Sequence, residues 1–119
     1  MLTQSREAIA WSVGEEDWVY ADFDPPDLED DQDILDGRTI DSAGTPTIMD
    51  DQAGTISEVT VVSAPVTING VLIEANTGVR FKVAGLQVRT DGAETVVKVP
   101  VTLSDGAKKA LGVRFRVEA

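Results

Sequence analysis

Apolar and polar positions alternate in three long runs over the last third of the chain. Val79, Phe81 and Val83 are separated by Arg80 and Lys82; Val97, Val99, Val101 and Leu103 by Lys98, Pro100 and Thr102; Leu111, Val113, Phe115 and Val117 by Gly112, Arg114 and Arg116. A period of two puts one set of side chains on each face of an extended strand, so each run predicts a half-buried β-strand. A slip of one residue would expose the whole apolar set, which fixes the register. Pro100 cannot donate to a ladder and predicts an edge position or a bulge at that point. Upstream, residues 66–68 and 71–73 flank Asn69-Gly70, and both central residues of a tight hairpin turn need positive φ, so these runs predict a hairpin. Residues 56–64 are β-rich, with Val59 and Val61 on one face and Thr60 and Val62 on the other. Residues 38–48 read as one edge strand broken at Gly44-Thr45-Pro46, and residues 49–54 as a turn. About seven strands at turn spacings of roughly 8–12 residues predict an all-β chain, an immunoglobulin-like antiparallel β-sandwich. No stretch has convincing helical periodicity; a short helix over residues 4–11 is the one helical alternative.

The first third is patterned differently. Trp11, Trp18, Tyr20 and Phe23 gather within residues 1–24. Aromatics this dense either complete a first strand, for which residues 8–13 alternate suitably, or serve as anchors buried on a partner. Asp24-Pro25-Pro26-Asp27 then blocks helix and central strand alike, because proline lacks an N–H and restrains its predecessor. The expected organisation is an acidic, aromatic N-terminal arm and loop over residues 1–32, followed by a sandwich domain over 33–119.

Charge sharpens this division. Residues 1–58 hold 16 Asp/Glu against 2 Lys/Arg, whereas residues 59–119 hold 5 against 8, within an overall formal charge of −11. Strong negative charge argues against binding to nucleic acid or an anionic membrane. At 119 residues the chain has the length of a single domain, large enough for one hydrophobic core. It contains neither cysteine nor histidine, which excludes disulfides, Cys/His zinc sites, Ser-His-Asp and Cys-His nucleophiles and a histidine pH switch. The first residues lack a basic-then-apolar leader pattern, and no apolar run approaches the about 20 residues of a membrane span. A soluble protein made in the cytoplasm is expected.

The acidic run Asp27, Glu29, Asp30, Asp31, Asp33 and Asp36 invites a calcium reading, but the loop position that demands glycine is Gln32, and Gly37 comes too late. It reads instead as a solvated loop or as one that docks on a basic surface. Nothing sets two carboxylates opposite each other for acid–base work, and the glycines form no phosphate-cradling motif. No cofactor and no enzyme activity are expected. Arg80, Lys82, Arg114 and Arg116 are outward positions of two strands. If those strands share a sheet, the four form a cationic patch beside Lys108 and Lys109, suited to receive an acidic surface such as the Asp-rich segment of a neighbouring copy. A contact of that kind is heterologous and generates rings or filaments.

Leu35-Asp36-Gly37-Arg38-Thr39-Ile40-Asp41-Ser42, then Val61-Val62-Ser63-Ala64-Pro65-Val66-Thr67-Ile68, then the valine-rich run leading to Thr102-Leu103-Ser104-Asp105-Gly106, and finally Val113-Arg114-Phe115-Arg116-Val117 follow one another in an order that resembles a family of small bacteriophage virion proteins, the fibre-tail adaptors or Ig-like tail-associated proteins. The resemblance covers about residues 33–119. The chain departs from the family pattern at Gly85, which stands alone, and at Val97 or Val99, where an aromatic is usual. The resemblance implies a non-catalytic structural role in a virion, linking the tail or connector to fibres or neighbouring rings in several copies. Trp11, Trp18, Tyr20 and Phe23 are then the expected apolar anchors, and Arg80, Lys82, Arg114 and Arg116 the expected charged face. A capsid decoration protein and an extracellular carbohydrate-binding module are the alternative readings.

Overall fold

The computed structural model describes residues 2–4, by their backbone, and residues 8–24, 34–68 and 70–119. Eleven strands and no helix form among them: β1 (Leu2–Gln4), β2 (Ile9–Ser12), β3 (Glu16–Asp22), β4 (Ile40–Ala43), β5 (Thr47–Ile48), β6 (Thr55–Val61), β7 (Val66–Ile68), β8 (Val71–Ile73), β9 (Gly78–Ala84), β10 (Thr95–Leu103) and β11 (Lys108–Glu118). The first sheet has the order β1-β3-β9-β6; the second has the order β2-β11-β10-β4, with β5 also on β10; β7 and β8 form a separate hairpin. Most neighbours are antiparallel, but β1 runs parallel to β3 and β2 parallel to β11.

The alternating runs become the central strands because their apolar sets meet. Val19, Phe81 and Val83 from the first sheet and Val97, Val99, Val113 and Phe115 from the second share one core, each fully buried. Burying a side chain of this size stabilises by about 1.5–3 kcal/mol, which is why the period of two dominates the assignment. Pro100 lies in a central strand, not at an edge. Its carbonyl accepts from the Gly44 N–H at 2.9 Å, so the position without an N–H falls in the gap where β4 ends and β5 has not begun. Gly44 suits that gap: a Cβ there would stand 3.1 Å from Pro100 Cγ. The break expected at Gly44-Thr45-Pro46 is thus the feature that accommodates the proline.

In β6 the register against β9 jumps between Ser57 and Thr60, with Glu58 at φ 54°. The extra residue is a bulge, and it lets Ile56 and Val59, three apart, both pack on the core. The β7–β8 hairpin pairs Ile68 with Val71 around the two-residue loop, with Gly70 at φ 80°. A second tight turn joins β10 to β11. There the Asp105 carboxylate accepts from the Ala107 N–H and from Arg38, both at 3.0 Å. These two contacts, the backbone one foremost, hold its carboxyl below the usual carboxylate range.

Over residues 8–24 the chain belongs to the sheets, the first of the two arrangements expected for its aromatics. Ile9–Ser12 is a strand of the second sheet, not part of a helix, and Glu16–Asp22 lies between β1 and β9 in the first sheet. The turn between them is closed by Glu15 N–H to Ser12 O at 3.0 Å and tied to the last strand by Val13 N–H to Glu118 O at 2.9 Å. Most of the expected acidic loop, residues 27–33, lies outside the described residues. Just after it, Leu35 is buried and Ile34 packs against the core.

Candidate functional site

The outer face of the first sheet carries the densest chemistry. Outward side chains of β3 and β9 stand opposite each other in rungs, Trp18 against Lys82 and Tyr20 against Arg80, and β6 adds Ser57 and Thr60 to the same two rungs. One end of this face is roofed. Tyr20 is buried there with Val62, Ile68 and Ile73, in a small cluster separate from the main core. Ile73 reaches the sheet because Gly78 has no side chain: a Cβ at that position would lie 2.8 Å from Ile73 Cγ2 and 3.2 Å from the Ala21 carbonyl.

The other end is open. The Arg80 guanidinium carbon lies 3.9 Å from the centroid of the Trp18 ring, and the Lys82 ammonium 5.8 Å from it. Both distances are within the range where a ring quadrupole attracts a cation. Lys82 is also bound to Glu16, Nζ to Oε1 at 3.1 Å, a contact that raises its pKa above the ordinary lysine value. Arg80 differs. It has no hydrogen bond or ion pair among the described residues, and its Nε is buried without an acceptor. Every other described arginine has a carboxylate: Arg38 on Asp105, Arg89 on Asp50 and Asp91, Arg114 on Glu94 and Arg116 on Glu118. Beside Arg80 a groove of about 340 Å³ runs between Tyr20 and the 60–66 segment, walled by Thr60, Val62, Pro65 and Val66.

The four basic residues do not form one patch. Arg80 and Lys82 lie on β9 in the first sheet, Arg114 and Arg116 on β11 in the second. In both strands the alternate residues Val79, Phe81 and Val83, and Val113 and Phe115, point into the shared core. The basic side chains therefore project from opposite outer faces, and three of the four are neutralised by glutamates. The four aromatics separate as well. Trp11 and Phe23 are 2% and 1% exposed in the main core and Tyr20 is 6% exposed in the outer cluster, so their apolar surface is used within the domain. Trp18 alone of the aromatic residues is only half-buried.

Two features escape a reading of the sequence. One is the acidic partner of Lys82 and of Arg114: Glu16 and Lys82, for example, are far apart along the chain and meet only because β3 and β9 pair. The other is Arg89, a latch between two loops that bonds Asp91 at 2.6 Å and Asp50 at 3.0 Å. Arg89 and Asp91, two apart in a glycine-containing turn, are the one visible hint of it. A second concavity of about 420 Å³, lined by Asp24, Leu72, Glu74 and Thr77, flanks the hairpin. Among the described residues no group of three or more acidic side chains is arranged to hold a metal ion.

A guanidinium held over an indole face keeps its charge and its planar donor fork while losing freedom of movement, which suits it to a planar anion such as a carboxylate. No known protein family, no curated protein and no solved structure matches this chain.

Proposed function

We propose that this chain is a structural protein of a bacteriophage virion, an immunoglobulin-like adaptor of the tail or connector that links the tail to fibres or neighbouring rings through protein–protein contacts. Strand order is the observation that carries the reading. The antiparallel succession β3-β9-β6 supports it as a counterpart of B-E-D in an immunoglobulin domain, whereas β1 runs parallel to β3 and so departs from an antiparallel A strand. The succession β11-β10-β4, with β5 continuing β4, corresponds to G-F-C, with β2 added beside β11 and the β7–β8 hairpin inserted between D and E. The resemblance of residues 33–119 to the fibre-tail adaptors supports the same reading for β4 to β11, while β1, β2 and β3, from residues 2–22, lie outside it. The outer face around Trp18 and Arg80 is the contact surface in this reading.

A carbohydrate-binding module on the same fold would offer an open aromatic face to a sugar. The one aromatic near the surface, Trp18, already carries Arg80 on its ring.

Immunogold labelling of purified particles of the phage encoding this chain tests the proposal. Label at the tail or connector, with several copies per particle, is the expected result. Label over the capsid would replace the adaptor with a decoration protein, and absence of the chain from purified particles would overturn a virion role altogether.

A further inference from the structure

We propose that Arg80, stacked on Trp18, is the receptor for a single carboxylate carried by an extended segment of a partner protein, whose neighbouring apolar side chains lie in the groove along Val62, Pro65 and Val66. The inference rests on the reading of a protein-binding module but not on where in a particle that module sits.

Charge complementarity at Arg80 is the first support. It is the one described arginine with no anionic partner, on a chain otherwise rich in carboxylates. Its Nε is buried without an acceptor, whereas the terminal nitrogens have no hydrogen bond among the described residues and are not fully buried. A carboxylate approaching end-on meets two parallel donors, and the indole behind them holds the fork in place, so little side-chain entropy is lost on binding.

The surroundings narrow the ligand further. Glu16 occupies Lys82, and Glu58 and Asp17 add negative charge near that ammonium. Three carboxylates around the neighbouring Lys82 make this end of the face repel a polyanion, which disfavours nucleic acid and an anionic bilayer. It accepts one isolated carboxylate. The groove beside it is walled by aliphatic residues and by the Thr60 hydroxyl, which suits the flanking residues of a polypeptide. Strand addition at β6 is disfavoured by the bulge at Glu58, so side chains carry the recognition.

Selection from a displayed library of random heptapeptides against the whole chain provides the test. Winning peptides are expected to share one Asp or Glu flanked by apolar residues. A synthetic winner should lose about tenfold or more in affinity when that residue becomes Gln or Asn, and as much on the Arg80→Gln chain, in keeping with a charge-assisted hydrogen bond. Arg80→Lys, which keeps the charge but not the plane, should lose less than Arg80→Gln. Far-UV circular dichroism shows whether each variant is folded, and the peptide's own acid-to-amide comparison on the unmodified chain stands even if a variant does not fold. Winners without a common carboxylate, equal binding of the acid and amide peptides, or failure to enrich any peptide over the Arg80→Gln chain would overturn the proposal. A shared carboxylate from a chain absent from phage particles would leave the receptor standing and remove only the virion role.

Discussion

Trp11 stands edge-on to Phe115, ring centroids 5.3 Å apart and planes at 87°. The pair joins a residue near the start of the chain to one near its end, across the parallel β2–β11 ladder in which Val117 is the register partner of Trp11. A T-shaped aromatic pair contributes about 0.5–1.5 kcal/mol beyond the area it buries. Trp11→Ala should therefore destabilise the domain by about 3–5 kcal/mol, read as a lower urea midpoint with little change in slope. A loss under about 1 kcal/mol, typical of an exposed site, would mean that β2 is dispensable.

Gly78 is the seat on which the β7–β8 hairpin rests. With Ile73 Cγ2 at 2.8 Å and the Ala21 carbonyl at 3.2 Å from a Cβ placed there, Gly78→Ala forces either the hairpin outward or β9 out of line. The expected cost is about 1–3 kcal/mol, with amide exchange accelerating in β7 and β8 while β10 and β11 keep their protection. Uniform acceleration across both sheets would contradict a local seat.

Asp22 is 3% exposed. One carboxylate oxygen accepts from the Asp24 N–H at 2.9 Å and the other is buried without a partner. Burial, foremost, raises its pKa above the ordinary aspartate value, and the neighbouring Asp24 charge adds to the rise. The folded chain therefore holds this proton more tightly than the unfolded chain does. Stability from this group is greatest below the unfolded value of about 3.9 and falls as pH rises through the raised folded value. Asp22→Asn should accordingly raise Tm at neutral pH, and the gain should vanish as the unmodified chain is acidified. A gap in Tm that stays constant from about pH 3 to about pH 8 would show that ionisation is not the cause.

Arg114 and Arg116 face away from Arg80, and each lies on a glutamate, at 3.3 Å and 3.2 Å. Exposed pairs of this kind contribute about 0–1 kcal/mol. Replacing both with glutamate should leave the fold intact and leave peptide capture at Arg80 unchanged. A loss of capture as large as that of Arg80→Gln would return the two arginines to the same recognition surface.

The three long alternating runs became β9, β10 and β11, and the hairpin expected there joins β7 to β8, with Gly70 at φ 80°. These features are local: each needs only the contrast between two faces of one strand, or the φ tolerance of two residues. Sheet membership is not local. Arg80-Phe81-Lys82 and Arg114-Phe115-Arg116 have the same pattern, yet the first lies between β3 and β6 and the second between β2 and β10, so the shared cationic face does not exist. Aromatic density near residue 20 was legible too, but which aromatic stays at the surface depends on what β7 and β8 cover. Arg80 was legible as an outward cation; its lack of a carboxylate partner was not, because pairs such as Arg38 with Asp105 and Arg114 with Glu94 are set by tertiary contacts.

The parallel alignment of β2 and β11 also governs how the domain bears force. Ile9 is in register with Phe115 and Ser12 with Glu118, so tension that draws Ile9 and Glu118 apart loads the interstrand bonds side by side, in shear, instead of peeling them open one after another. A joint of this design resists pulling along that axis far better than across it.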